Sequence, residues 1–171
     1  VWWPSDNARP NRFTVTGILE LPFGKGRQWL TSGILNHILG GWQMALTYEF
    51  QQGSLLSWGN IFYYGDLDKF EDDVSKSDKT LQQWFNTSAQ FERTASKLPA
   101  AYHVRVFPRY FNGLRADGLK QFNGNLVREF RIYERLRLQV RADSMNLQNR
   151  SQFNPPDLSP TSTNFGRITS Q

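Results

Sequence analysis

The stretch from Gly41 to Gln51 constrains the fold most, because large apolar residues occupy every second position. The apolar side carries Trp42, Met44, Leu46, Tyr48 and Phe50. The opposite side carries Gln43, Ala45, Thr47, Glu49 and Gln51. A period of two predicts a β-strand with one apolar and one solvated face. Such a strand suits a soluble β-sandwich, and it equally suits an outer-membrane barrel with lipid outside, water inside and aromatic girdles at both interfaces.

Three further stretches show the same alternation: Arg12–Leu21, Phe122–Ile132 and Leu136–Asn146. Each has roughly 10 residues, which is enough to cross a bilayer as a tilted strand. Strands of globular proteins average about 5 to 6 residues, so the length favours the membrane environment. Arg128 interrupts the apolar side of the third stretch near its end, where a long side chain could snorkel to lipid headgroups.

The connections between these stretches alternate between short and long. Ile132–Arg135 predicts a tight hairpin, and Pro22–Arg27 offers two glycines that can adopt positive φ. The segment from Gly24 to Gly41 is longer than an ideal turn, and a helical turn is expected within it at Ile34–Leu39. Residues 52–119 and 150–171 form long connections. Short links on one side and long loops on the other are typical of outer-membrane barrels.

The polar positions of three strands define a predicted lumen-facing set. Its members are Gln43, Thr47, Glu49, Glu129, Arg131, Arg137, Arg141 and Asp143. In a soluble protein, the concentration of bases in residues 119–150 would suggest contacts with a phosphate backbone. In this chain the arginines and several acids fall on the same side of the predicted strands. That arrangement favours a network of opposite charges on a water-facing surface. We therefore expect no nucleic-acid partner.

Composition excludes several kinds of site. The chain has no cysteine, which excludes disulfides, thiolate catalysis and cysteine-ligated zinc. No apolar run approaches the ~18 residues of a membrane helix. Val1–Pro4 lacks the charged and apolar regions of a signal peptide, so we expect any export signal to lie elsewhere.

Sequence motifs for catalysis or metal binding are weak throughout the chain. His37 and His103 stand outside any HExxH frame, and the acidic residues of 66–73 lack the spacing of an EF-hand loop. We therefore expect no catalytic residue, no metal and no cofactor. The weak candidates for ligand binding are aromatic residues of the long loop: Trp58, Phe62, Tyr63, Tyr64 and Trp84. They could stack on a sugar or an aromatic ligand, but packing within the loop or at the membrane interface is the favoured interpretation.

A series of short motifs occurs in a defined order along nearly the whole chain. The motifs are Asp6–Phe13, Leu21–Arg27, Leu39–Gln43, Gln52–Gly53, Ser57–Asn60, Trp84–Thr87, Phe91–Glu92, Arg105–Pro108, Leu114–Gly118 and Asn146–Phe153. Each is weak alone, but their order resembles the C-terminal barrel region of Oar-like TonB-dependent receptors. Those outer-membrane proteins, common in Acidobacteria, usually carry an N-terminal carboxypeptidase-regulatory-like (Ig-type) domain and a plug.

The resemblance implies a barrel of about 22 strands whose lumen is plugged and which takes energy from TonB. This sequence has no Ig-type domain, no plug and no TonB box, and it reaches only the expected start of the last strand at Asn164–Gln171. Four strands cannot close a barrel, since the smallest single-chain examples have about eight. We therefore expect an all-β antiparallel meander of long amphipathic strands, a fragment of a transmembrane β-barrel lacking the last strand.

We expect residues 1–171 to form the C-terminal portion of an outer-membrane transporter, with an external loop at about 52–119. Its expected partners are outer-membrane lipid, the remainder of the barrel and its plug, TonB and an unidentified transported ligand. The location implied is the outer membrane of a Gram-negative bacterium. The alternative is a soluble all-β module that binds carbohydrate or polyanions, and an enzyme has the least support.

Overall fold

The computed structural model describes residues 8–30, 32–100 and 102–171. They form two compact units. The strand unit comprises Arg12–Phe50 and Lys120–Arg150. The loop unit comprises residues 8–11, Gln51–Leu119 and Ser151–Gln171. Asp6 and Asn7 of the first motif, and Val1–Pro4, lie outside the described residues.

The strand unit is built on a four-stranded antiparallel sheet in the order β1-β2-β3-β4. The strands are β1 (Arg12–Glu20), β2 (Trp42–Gln51), β3 (Leu119–Tyr133) and β4 (Leu136–Ser144). Within the described residues β1 and β4 each pair with one strand, so the sheet is open. The predicted all-β meander is confirmed, and an open sheet is what a section of a barrel wall presents.

The strand boundaries differ from the predicted ones mainly at β3. This strand has 15 residues and begins at Leu119, three positions before the predicted start. Leu119 and Lys120 break the alternation there, because an apolar residue stands at a polar position and a charged residue at an apolar one. Strand pairing depends on backbone hydrogen bonds, which the side-chain pattern does not reveal. At its other end β4 stops at Ser144, shortly before Asn146 takes a positive φ of 52°.

The predicted tight hairpin between β3 and β4 is confirmed, whereas the connection between β1 and β2 spans residues 21–41 and is a turn followed by a longer segment. Tyr133 pairs with Leu136, so only two residues link β3 to β4. Between β1 and β2, Gly24 and Gly26 have φ values of 116° and 79°. Since L side chains rarely adopt these values, the two glycines permit this turn. The predicted helical turn is the helix α1, Ile34–Leu39.

Arg128 does not snorkel to headgroups in this structure but is bonded within the protein. Its side chain is buried, with only 9% of the residue exposed, and it lies on the apolar side of β3. The guanidinium donates hydrogen bonds to the backbone carbonyls of His37 and Ile38 in α1. Because helix C-terminal carbonyls lack intrahelical partners, they offer the charge a site within the protein.

The loop unit folds around an aromatic core that the strand alternation of the sequence does not indicate. It contains the helix α2 (Phe70–Val74) and two single-turn 3-10 helices, Leu67–Lys69 and Ala95–Lys97. The buried core consists of Leu56, Trp58, Ile61, Phe70, Val74, Phe85, Phe91, Phe107, Leu114, Ala116 and Phe165. The long connection is therefore a packed structure. In the described part of the chain, no helix is long and apolar enough to span a membrane.

Candidate functional site

One face of the strand unit carries a polar network between β1 and β2. The hydroxyls of Thr16 and Thr47 lie 3.2 Å apart, and Arg12 forms an ion pair with Glu49. Gln43 Nε2 lies 3.5 Å from a carboxylate oxygen of Glu20, at the limit of hydrogen bonding. The predicted residues Gln43, Thr47 and Glu49 therefore share one face with partners from β1.

The same kind of network joins β3 to β4. Arg137 donates to Glu129 at 3.0 Å, and Arg141 donates to Asp143 at 2.9 Å. In the strand register Arg131 lies directly opposite Arg137, which places both on the same side as Glu129. All five predicted polar residues of this hairpin thus lie on one face.

Four polar residues outside the predicted set also belong to this face. Arg12 pairs with Glu49, and Glu20 pairs with Arg27 of the following connection. Thr16 meets Thr47, and Asn125 donates to Asp143. These residues could have been found from the sequence, because each occupies a position on the polar side of its strand or at the end of that side. Most of these groups are exposed, and exposed ion pairs contribute only about 0–1 kcal/mol each. The network therefore adds little to stability and presents mixed charge to water.

The opposite face of the sheet is apolar. A methyl group added to Gly124 of β3 would lie 3.5 Å from Leu46 of β2, so these positions share one side. Many large apolar residues on this face of the sheet are half exposed: Phe13, Val15, Leu19, Leu138 and Val140. A contiguous exposed apolar surface on a soluble monomer would be costly and prone to association.

The loop unit's aromatic candidates occupy different environments. Trp58 is 1% exposed and lies among the rings of Phe70, Phe85, Phe91 and Phe107, with centroid distances of 5.3 to 6.1 Å. Within the described residues its indole nitrogen has no hydrogen-bond partner. A ligand could reach this indole only if the core opened. Trp58 is thus placed as a core residue.

Trp84 and Phe62 are partly buried. The indole N–H of Trp84 donates to the carbonyl of Arg115 at 2.9 Å, and Lys79 Nζ lies 5.4 Å from its ring centroid. Phe62 meets the ring of His103 edge-on at 6.0 Å. Burial lowers the pKa of Lys79. These contacts position the side chains within the unit and leave only part of each ring accessible.

Tyr63 and Tyr64 donate hydrogen bonds to acids. Tyr63 Oη lies 3.2 Å from Asp73 Oδ2, and Tyr64 Oη lies 2.7 Å from Glu92 Oε2. Burial and the bond to Asp73 raise the pKa of Tyr63, and the bond to Glu92 raises the pKa of Tyr64. Tyr64 is 65% exposed, so of the five aromatic candidates it is the one that presents a ring broadly to solvent.

Glu92 is a buried acid for which the sequence pattern offers no site motif. Only 7% of the residue is exposed. Hydrogen bonds from Tyr64 and from the Thr94 backbone, with the nearby Lys97, lower its pKa to about 2. It therefore remains ionised in neutral and mildly acidic solution and holds two loop segments together.

Three acids of residues 66–73 make hydrogen bonds within the loop unit. Asp66 accepts from the Asp68 backbone N–H at 3.0 Å, and Glu71 accepts from the Gly113 N–H at 3.1 Å. Asp73 pairs with Tyr63. In residues 8–30, 32–100 and 102–171, no group of three potential ligands stands close enough to hold a metal ion.

A family model described as an outer membrane beta barrel domain matches residues 2–171. No match was found among curated proteins or among solved structures. The family match agrees with the open antiparallel meander and with its division into one polar and one apolar face. The chain therefore belongs to the outer membrane β-barrel domain family, whose members reside in the outer membrane of Gram-negative bacteria.

Proposed function

We propose that the chain is part of an Oar-like, TonB-dependent outer-membrane transporter. Support comes from the ordered motifs of the sequence and from the membership of the chain in an outer-membrane barrel family. In this proposal further strands pair with the open edges of β1 and β4, since unpaired backbone groups in lipid cost several kcal/mol each. A plug domain fills the lumen, and TonB supplies the energy for its rearrangement.

The observation that carries the barrel assignment within this proposal is the separation of polar and apolar residues between the two faces of the sheet, whereas the TonB-dependent type rests on the ordered motifs. We assign the network of Thr47, Glu49, Glu129, Arg137 and Asp143 to the lumen, and the face with Leu46 and Gly124 to lipid. Hydrated charges of both signs suit the wall of an aqueous lumen, where a polar solute or a polar plug surface meets the strands. The lipid-facing side then needs no partner except acyl chains.

The loop unit is proposed to lie outside the cell and to take part in ligand capture. The aromatic core gives this unit a defined shape, so its surface is preorganised. Tyr64 is the candidate contact for a ligand, whereas Trp58 acts by stabilising the surface that carries it. No residue of the chain is assigned a chemical step, and the transporter works by binding and conformational change.

The test uses the complete gene product, purified and inserted in liposomes. We expect it to bind the purified periplasmic domain of TonB, and we expect low ion conductance because the plug closes the lumen. A variant with the TonB-contact segment before the plug deleted is the control, which should lose binding without changing the conductance. A protein that conducts ions freely and does not bind the TonB domain would contradict the proposal and would indicate a porin-like barrel.

The soluble binding module remains as the alternative of a different class. It requires an apolar face that is covered within the protein, whereas the half-exposed Phe13, Leu19 and Leu138 lie uncovered in the described part of the sheet. A complete gene product that stays monomeric in buffer without detergent would favour this alternative over the transporter.

A further inference from the structure

The short helix α1 is tied to the apolar side of the sheet by three hydrogen bonds. Arg128 of β3 donates to the carbonyls of His37, at 2.6 Å, and Ile38. The indole N–H of Trp42 in β2 donates to the same Ile38 carbonyl at 3.0 Å. A helix of six residues is too short to be stable alone, so these bonds help to hold it in place.

The position of these donors fixes the side of the sheet on which α1 lies. Arg128 pairs across the sheet with Val140, and its guanidinium lies 4.1 Å from the ring centroid of Phe130 and 6.0 Å from that of Trp42. All four residues belong to the apolar parity of their strands. The carbonyls of α1 are therefore reached from the apolar face, and the polar network lies on the opposite side.

The helix exposes apolar side chains to its surroundings. The exposed fractions are 78% for Ile34, 54% for Leu35, 56% for Ile38 and 41% for Leu39. Trp29, in the same connection, is 58% exposed. In water these groups would add to an already large apolar surface. Beside a bilayer, aliphatic residues with a tryptophan suit the boundary between headgroups and acyl chains.

We propose that α1 is a membrane-interface anchor that lies on the outer surface of the barrel wall and inserts into the phospholipid leaflet on the periplasmic side. The choice of leaflet follows from the position of α1 in the chain. It lies between β1 and β2, at the same end of the sheet as the β3–β4 hairpin. Tight hairpins of such barrels lie on the periplasmic side. Arg128 is its positioning residue. The occupant of this apolar surface is phospholipid, because the surface continues the lipid-facing side of the sheet. This inference rests on the facing proposed above.

Spin labels can test the proposal in the complete barrel protein, because residues 1–171 contain no cysteine and any cysteine elsewhere can first be replaced by serine. Single cysteines replace Ile34 of α1, Leu46 as the lipid-facing reference and Thr47 as the water-facing reference. The labelled proteins are inserted in liposomes of phosphatidylethanolamine and phosphatidylglycerol. Accessibility to oxygen, which partitions into lipid, is compared with accessibility to a water-soluble nickel chelate.

We expect the label at position 34 to favour oxygen, at a shallower depth than position 46, while position 47 favours nickel. A label at 34 that matches 47, with position 46 still in lipid, would overturn the interfacial anchor alone. A label at 46 that favours nickel would instead overturn the proposed facing of the sheet. The two failures are therefore distinguishable.

The substitution Arg128→Met tests the positioning role, because it keeps an unbranched aliphatic stem and removes the donors to α1. We expect the oxygen preference at position 34 to be lost while that at position 46 is kept. Trp42→Phe, which removes a single donor, should cause a smaller loss and serves as a second variant if Arg128→Met does not fold. An unchanged signal at position 34 in both variants would contradict anchoring through these hydrogen bonds.

Discussion

The substitution Phe70→Ala should selectively loosen the loop unit. Phe70 is 0% exposed, and its ring centroid lies 4.3 to 5.3 Å from those of Phe111, Tyr63, Phe107 and Trp58. Removing a fully buried phenylalanine costs about 3–5 kcal/mol through lost transfer free energy and the cavity left behind. At about 1.4 kcal/mol per tenfold change, the opening equilibrium of the unit should rise roughly 150-fold to 4,000-fold.

Amide hydrogen exchange of the complete protein in the membrane measures this opening. Two reporters are the backbone N–H groups of Trp58 and Glu92, which donate to Arg109 and Phe62, each at 2.9 Å. Their exchange should accelerate by the factor given above, provided that refolding of the unit is fast relative to chemical exchange. The amides within β3 should keep their protection, because the perturbed core contains no strand residue.

A matched control is Tyr102→Ala, because Tyr102 is 100% exposed. This substitution also removes an aromatic ring, but it leaves no cavity, so exchange of the same reporters should stay nearly unchanged. Equal effects of the two substitutions would refute the idea that a packed core holds the loop unit together. Equal acceleration in β3 and in the loop unit would refute the selective effect.

Two further predictions concern the loop unit, measured by the same exchange reporters. Its stability should fall as the pH decreases from about 4.5 to about 2, because the ionised form of Glu92 is favoured in the folded state. Glu92→Gln should be less stable than the parent above this window and should lack most of the decrease, whereas an unchanged pH profile would contradict the role of the acid. Gly53→Ala should destabilise the unit, since its new methyl group would lie 2.0 Å from the Ala116 carbonyl oxygen. Gly59→Ala is the control, with its nearest such contact at 3.9 Å, and similar losses in both variants would contradict the steric explanation.

The sheet could be predicted from the sequence because strand alternation records the environment of each face directly. Leu46 and Thr47 differ in parity, and parity alone assigned them to opposite sides. The turn at Gly24 and Gly26 was equally accessible, since few other residues adopt positive φ. The ordered motifs supplied the class of protein, which the family match supports at the level of an outer-membrane barrel.

The loop unit could not be predicted in the same way. Its core joins residues far apart in the chain, such as Trp58 and Phe165, and short irregular segments leave no period to detect. The partner of Arg128 was missed for a related reason. A lone arginine on an apolar face indicates only that its charge needs a partner, and the carbonyls of α1 came close to it only through tertiary folding.

The central claim is that one face of the sheet meets lipid and the other meets water. Its most direct test compares Leu46→Arg with Thr47→Arg in the complete barrel protein folded in lipid bilayers. The free energy of unfolding is measured for both by denaturant titration. Leu46→Arg should cost about 2–4 kcal/mol, the penalty of a cation on the lipid side near the bilayer midplane, whereas Thr47→Arg should be tolerated in an aqueous lumen. Equal losses at the two positions, or a greater loss at Thr47, would contradict the assignment of lipid to one face and water to the other.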